Sequence, residues 1–311
     1  MASNWKTHFS RRRFLLASAS LPLLSACGHS ECCTSNTGAI RQAQDQLIEI
    51  ERGTGGRIGV AGANLHTGIT LSHRQDERFA MCSTFKWLLA ATILRKVERG
   101  EESLERTLSW TAEDLIVWSL VTKPMVETSG SIGRLSIGEL CSATMRTSDN
   151  TAANLLLETV GGPAGLTQAI RKMGDRVTRL DRTEPSLNQN RSGDPRDTST
   201  PMAMLSVMRD ALYGEILQSE SQGILKKWLV SNETGTTRLR AGLPTGWLVG
   251  DRSGTSSNNA NNNVAFAEPP AGTPPNGPLL IVSFTNAPNP TLKEANAVHA
   301  HIARVISDAL I

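Results

Sequence analysis

Ser83-Thr84-Phe85-Lys86-Trp87-Leu88-Leu89 opens a stretch whose pattern predicts a helix over 84–99, closed by Gly100. Ser83 and Lys86 stand three apart, a spacing that sets both side chains on one helix face. The Lys86 amine therefore lies beside the Ser83 hydroxyl. A helix N-terminus adds positive partial charge and unpaired N–H groups at the same place. A serine hydroxyl becomes a strong nucleophile only when a neighbouring base takes its proton, and a neutral amine can do so. The same four-residue pattern arises about once by chance in a chain of this length, so its meaning depends on what surrounds it.

Upstream, Ile40, Ala43, Leu47 and Ile50 recur at helical spacing until Gly53 to Gly56, and strands are expected over 57–65 and 68–73 around a turn at His66-Thr67-Gly68. Downstream, helical patterns cover 151–160, 164–173 and 201–213. Strands return at 247–251, 263–267 and 279–285, and a last helix over 292–310 sets Ala295, Val298, Ile302, Val305 and Ile306 on one side. The Asn- and Ser-rich segment 256–263 reads as a turn between two strands. Strands, then helices, then strands and a helix describe an α/β (α+β) chain. Its two ends complete one mostly antiparallel five-stranded sheet flanked by helices, while the middle forms an all-helical lobe. A cleft between two such lobes is where a substrate is expected.

Three further motifs carry chemistry. Ser148-Asp149-Asn150 precedes a helix and reads either as its cap or as a proton-relay serine with a substrate-binding amide. Glu184-Pro185-Ser186-Leu187-Asn188 lies in a stretch without periodicity, 179–200, long enough to be functional. Arg182 and Asp197 at its neck can pair to make a compact Ω-type loop. Glu184 and Asn188 can grip one water between a carboxylate and an amide, or Glu184 can be a solvated loop residue. Arg252-Ser253-Gly254-Thr255 follows an apolar run at a strand end. Small residues there admit close approach of a ligand and Arg252 supplies a permanent charge suited to a carboxylate, unless it is merely an exposed strand-end arginine.

Taken together these four pieces resemble the class A serine β-lactamases and their penicillin-binding relatives, whose set is S-x-x-K, S-D-N and K-T-G. The spacing agrees as well, with 36 residues from Ser148 to Glu184 and 68 from Glu184 to Arg252. The resemblance covers the chain from about Gly38 to Ile311. It implies hydrolysis of the lactam amide of penicillins, carboxypenicillins included, and of some cephalosporins, with resistance to these drugs as the outcome. Ser83 is then the acylated nucleophile, with an oxyanion hole at the N–H groups of Ser83 and Thr255. Lys86 and Glu184 are the two candidate acylation bases, Ser148 passes a proton to the departing nitrogen, and Asn150 binds the amide side chain. Glu184 with Asn188 activates the deacylating water. The resemblance also implies a cis Glu184–Pro185 bond and places Trp118 at the cleft mouth, although a lone tryptophan also suits a core.

The departures matter. Arg252 replaces the lysine of the usual triad, as in the carbenicillin-hydrolysing branch, and a planar fork in place of a point charge predicts a changed substrate preference. Asn261 stands where many members carry a carboxylate-gripping arginine, and Arg238 lies where others place a substitute. The disulfide partners known in the family are missing, since Ala90 stands opposite Cys141 and Ser256 opposite Cys82. Both thiols are expected to be small and buried, with pairing to each other the alternative in an exported protein, and carbapenem hydrolysis is not indicated. A D,D-peptidase or a non-turning-over β-lactam sensor is the rival reading, and neither needs Asn188 beside Glu184.

The 311 residues are 39% hydrophobic and 20% charged, as in a globular protein. Residues 1–26 hold Lys6, Arg11, Arg12 and Arg13 and no acid, and subtracting these four charges from the net +3 leaves −1. Nucleic acid is therefore not an expected partner. Ser10-Arg11-Arg12-Arg13-Phe14-Leu15 resembles a twin-arginine signal, and Leu24-Ser25-Ala26-Cys27 a lipoprotein box with lipid on Cys27. The expected organisation is a signal over 1–26, a linker over 27–37 and a catalytic domain over 38–311. The protein is expected to be a periplasmic monomer without cofactor, tethered to a membrane through Cys27. The closely spaced His299 and His301 lack a third ligand for a metal and are expected at the surface.

Overall fold

A computed structural model describes residues 30–272, 277–288 and 290–311, with side chains from Gly38 onward. The signal and Cys27 lie outside the described residues. In chain order, helix α1 (Ser30–Thr54) leads into strands β1 (Arg57–Asn64), β2 (Thr70–His73) and the short β3 (Phe79–Ala80). The middle holds α2 (Phe85–Glu98), β4 (Thr107–Trp110), α3 (Thr122–Ser129), β5 (Gly133–Ser136), α4 (Ile137–Arg146), α5 (Asn150–Thr159) and α6 (Gly162–Lys172). Then come β6 (Thr198–Ser199), α7 (Pro201–Leu212), α8 (Ser219–Val230), α9 (Leu239–Gly242), β7 (Leu248–Thr255), β8 (Ala260–Glu268), β9 (Leu279–Asn286) and α10 (Leu292–Leu310).

The main sheet has the order β2-β1-β9-β8-β7, and every neighbouring pair in it is antiparallel. Both faces are covered, so the strands are apolar along most of their length while still sorting by the two-residue period. Leu280, Val282 and Phe284 of β9 join Val264 and Phe266 of β8 in the core shared with the helical lobe. Leu279 and Ile281, with Ala265 and Ala267, face the other way against Leu47 and Ile50 of α1 and Ile302 and Ile306 of α10. Helix α2 is buried from Phe85 through Leu94, which makes it the axis of the helical lobe rather than an amphipathic surface helix.

Three sequence expectations change. The stretch 30–37, read as linker, is helical; once the amphipathic turns of α1 are nucleated, adding residues at the end costs little. Residues 260–263, read as turn, begin β8, and three consecutive asparagines are buried there. Their amides are matched to fixed partners: Asn262 Nδ2 donates to the carbonyls of Ala80 (2.7 Å) and Met81 (3.0 Å), and Asn263 Nδ2 to Asp251 Oδ2 (2.9 Å). His299 is fully buried, not at the surface, between Ser283 Oγ (2.8 Å) and Asn261 Oδ1 (3.2 Å). An amide oxygen only accepts, so Nε2 carries the proton and Nδ1 accepts from Ser283. Cys82 and Cys141, by contrast, are the buried free thiols that the sequence leads one to expect, and the alternative of a bond between them falls.

Candidate active site

A 3₁₀ turn at Cys82–Thr84 feeds directly into α2 and presents Ser83. Cys82 enters it with φ +48°, in the left-handed region, where a side chain costs strain that sites tend to hold. Burial pushes the Cys82 thiol up to about 12, so it is no competing nucleophile. Strand β7 runs past this turn at very short range. A Cβ on Gly254 would lie 2.8 Å from the Met81 carbonyl oxygen and 3.0 Å from the nitrogens of Ser83 and Thr84. Only glycine allows that approach, which sets the Thr255 end of the strand beside the Ser83 N–H.

Glu184 comes to Ser83 from the long loop. Its Oε1 accepts from Ser83 Oγ at 3.0 Å and lies 3.0 Å from Lys86 Nζ, while Oε2 accepts from Asn188 Nδ2 at 2.5 Å. The peptide is pinned on both sides by Asn154 of α5, whose Oδ1 accepts from Glu184 N and whose Nδ2 donates to Glu184 O, each at 3.0 Å. The Glu184–Pro185 bond is cis. At the neck, fully buried Asp197 accepts from Arg182 Nε at 2.5 Å and from the backbone N–H groups of Asp181 (2.7 Å) and Arg182 (2.9 Å). Its own carbonyl accepts from Met81 N at 2.9 Å, two residues before the nucleophile. The loop is thereby tied to the turn that holds Ser83.

Lys86 is fully buried. Its Nζ donates to Ser148 O (3.0 Å), Ser148 Oγ (3.0 Å) and Asn150 Oδ1 (2.6 Å), besides facing Glu184. An ammonium has three protons for these four acceptors. Burial, aided by the Arg252 charge and opposed by Glu184, lowers the Lys86 amine to about 8.

Ser148 sits at φ +65°, and its hydroxyl oxygen accepts from Lys86 and, at 2.5 Å, from Arg252 Nη2. The cap and the site share one turn. Asp149 caps α5 through Ala152 N (2.9 Å) and also holds Val121 N, Thr122 N and Thr122 Oγ1. Asn150 Nδ2 donates to Val117 O at 2.9 Å, and its backbone N–H to Trp118 O at 2.9 Å. Trp118 is 58% exposed at the rim, with its indole N–H fixed on Thr147 O at 3.0 Å. It is not a core residue.

Arg252 is fully buried rather than an exposed strand end. Its Nη1 donates to Thr234 Oγ1 at 3.1 Å, Thr234 in turn lies 2.5 Å from Ser253 Oγ, and burial lowers the guanidinium to about 10. Asp251, beside it in sequence and fully buried, opposes that shift; it accepts from Arg240, Asn232 and Asn263. Arg238 lies behind the strand end. It donates to the carbonyls of Gly254 (3.1 Å) and Asn262 (2.7 Å), to Asn296 Oδ1 (2.9 Å) and, through Nη2, to Thr255 Oγ1 (2.7 Å). It thus meets the cleft through Thr255, and burial lowers it to about 10.

Sequence reasoning missed Asn154, Thr234 and Asp251. Asn154 had a usable signal, four residues after Asn150 and so on the same face of α5. Among the described residues no group of three or more His, Cys, Asp or Glu side chains is placed to hold a metal.

Comparison with known proteins bears on this arrangement directly. Residues 42–310 match the model of the β-lactamase enzyme family. The chain belongs to that family. Beta-lactamase OXY-2 of Klebsiella oxytoca is 38% identical over 301 residues, covering 97% of this chain and 99% of that protein. Beta-lactamase AST-1 of Nocardia asteroides is 38% identical over 306 residues, covering 96% of each. The solved class A β-lactamase of the last common ancestor of Gram-negative bacteria superposes with a TM-score of 0.80 at 45% identity, over 85% of this chain and 98% of that one. The β-lactamase described here therefore has the class A fold, with its motif residues gathered in the cleft between the two lobes.

Proposed function

We propose that this β-lactamase hydrolyses the lactam amide of penicillins, carboxypenicillins included, and of some cephalosporins, through an acyl-enzyme on Ser83. One observation carries the reading: Ser83 Oγ and Lys86 Nζ meet on Glu184 Oε1, while Asn188 holds the other carboxylate oxygen. Glu184 takes the Ser83 proton as Oγ attacks the carbonyl carbon, and the N–H groups of Ser83 and Thr255 receive the oxyanion. Collapse breaks the C–N bond. Ser148 Oγ already accepts from two cations, so its own proton is free to go to the departing nitrogen, and Lys86 replaces it. Glu184 hands the proton it took to the now neutral Lys86, 3.0 Å away, and as a carboxylate orients a water with Asn188; it takes the water's proton as the oxygen attacks the ester and returns that proton to Ser83 Oγ as the acyl group leaves. Arg252 and Thr255 offer donors for the substrate carboxylate, Asn150 for the acyl amide, and Trp118 lines the mouth.

The clustered Glu184 and Asn188 favour turnover over a peptidase or sensor that stays acylated. Steady nitrocefin hydrolysis beyond one equivalent is the expected result, and Ser83→Ala should lower it by ~10⁴-fold or more. A burst that stops at one equivalent supports the peptidase or sensor, and an unchanged rate in Ser83→Ala removes the serine mechanism. The twin-arginine pattern and the lipobox at Cys27 further support export to the periplasm and a lipid tether, testable by palmitate labelling of the wild-type chain against Cys27→Ala.

A further inference from the structure

Strand β7 is an edge of the main sheet, so a loop passing it can touch side chains of both faces. Successive residues of a strand point to opposite faces, and the segment 232–235, between α8 and α9, meets Asp251 and Arg252 at once. Asn232 Nδ2 donates to Asp251 Oδ2 at 2.9 Å. A Cβ on Gly235 would lie 1.6 Å from the same oxygen, so only glycine lets the loop press this close. Arg240 holds the other oxygen of Asp251 through Nε (3.1 Å) and Nη2 (2.6 Å), which fixes the carboxylate from behind. Between the two contacts stands Thr234, half-buried, with its hydroxyl on Arg252.

Counting protons orients that hydroxyl, which has one proton and two lone pairs. Asp251 turns the Asn232 amide so that Oδ1 faces Thr234, and this oxygen accepts from Thr234 N at 3.1 Å and from Thr234 Oγ1 at 2.8 Å. The lone pairs of Oγ1 then take the Arg252 Nη1–H at 3.1 Å and the Ser253 Oγ–H at 2.5 Å. Protein partners use all three, so Thr234 has nothing left for substrate and acts only by holding its neighbours. Arg252 depends on that hold. Among the described residues its buried Nε has no hydrogen-bond partner, and Ser148 on Nη2 and Thr234 on Nη1 are the two anchors of the guanidinium. One N–H on each Nη remains for a carboxylate, and a two-point grip needs both held in one plane. We infer that Thr234 is the positioning residue that keeps the Arg252 fork in the plane where it grips the substrate carboxylate, so that arginine, unlike lysine, requires a hydroxyl at 234 to serve in this triad. The inference rests on the β-lactamase reading above and gives Thr234 no contact with substrate.

The test reads the ratio of kcat/KM for benzylpenicillin to that for its methyl ester, which isolates recognition of the carboxylate. Both constants come from one sample, so the fraction of folded enzyme cancels, as does any shared change in acylation through Ser148. Thr234→Val keeps the shape and removes the hydroxyl, and should lower the ratio on the order of tenfold, as for one lost hydrogen bond to a charged group. Thr234→Ser keeps the hydroxyl and should stay within about twofold of the parent. In an Arg252→Lys background, Thr234→Val should cost less than about threefold, because a single nitrogen on a flexible stem needs no second anchor. An unchanged ratio in Thr234→Val would overturn the inference, as would failure of serine to rescue or an equal loss in both backgrounds. A parent enzyme that treats acid and ester alike would show instead that Arg252 does not read the carboxylate, and the inference would fall together with that part of the reading.

Discussion

Ser148 Oγ accepts the Nη2–H of Arg252 at 2.5 Å, and Nη1 of the same guanidinium donates to Thr234 Oγ1 at 3.1 Å. A lysine in the same place has one nitrogen on a flexible stem and cannot span both hydroxyls in one geometry. Arg252→Lys is therefore expected to alter specificity more than stability. The ratio of carboxypenicillin to cephalosporin kcat/KM should change by about fivefold or more, and equal ratios in steady-state assays would show that the fork geometry has no part in selection.

Glu184 touches the nucleophile directly, yet its largest contribution is expected in the second half of the reaction. Glu184→Ala should allow a stable acyl adduct on Ser83, seen by mass spectrometry, while turnover falls by ~10³-fold. Unchanged turnover would remove its role in activating water.

The pH response of Lys86 follows from the same pair. The Glu184 charge holds the Lys86 amine up against the larger downward effect of burial, with the balance at about 8. Neutralising the carboxylate in Glu184→Gln removes the supporting charge, so the amine should become neutral at lower pH. The acylation rate of that variant should rise with pH through a midpoint below about 8. A midpoint above 8 in stopped-flow acylation would contradict the assigned balance.

Asp197→Ala tests the loop neck. It removes a fully buried carboxylate that holds Arg182 and two backbone N–H groups, and is expected to cost about 3 kcal/mol in urea unfolding. Deacylation should slow more than acylation of a good substrate, since the loop carries the water-holding pair. A loss under 1 kcal/mol with unaltered kinetics would show that the loop is held elsewhere.

His299 carries a pH signature. Burial holds its imidazole well below the ordinary 6.5, so below about pH 6.5 the unfolded chain takes up a proton that the folded one refuses. Stability present above that pH is lost as pH falls, at up to ~1.4 kcal/mol per pH unit. His299→Gln should flatten this acid limb between pH 6.5 and 5, whatever it does to the absolute stability. An unchanged slope in parallel urea titrations would assign the limb to other groups.

How much of this was legible in the sequence depends on range. The Ser83–Lys86, Ser148–Asn150 and Glu184–Asn188 pairs are local, so spacing alone sets each near its partner, and α10 spans the residues that its pattern predicts. What failed were judgements from residue type. The absence of a third metal ligand beside His299 and His301 points to a surface position, although 295, 299, 302 and 306 keep the buried period of α10. Asn261 to Asn263 suit a turn because asparagine disfavours strands, and only the long-range donors and acceptors reveal why they are tolerated in β8. The pinning of Glu184 by Asn154 and the hydrogen bonds between Asn190 and Asn258 join segments far apart in sequence, and no local pattern announces them. Helix α4 did carry a signal that went unused, the Ser136-x-x-Glu139 capping box.

The order β2-β1-β9-β8-β7 puts the last strand of the chain in the centre of the sheet. A polypeptide halted before Leu279 would be missing the inner seam, leaving β1 and β8 with open edges and no common neighbour. Such fragments should be sticky and protease-sensitive rather than mildly weakened. Ribosomes must therefore deliver nearly the whole message before the two outer strand pairs can be joined into one sheet, and late frameshifts should abolish resistance as thoroughly as early ones.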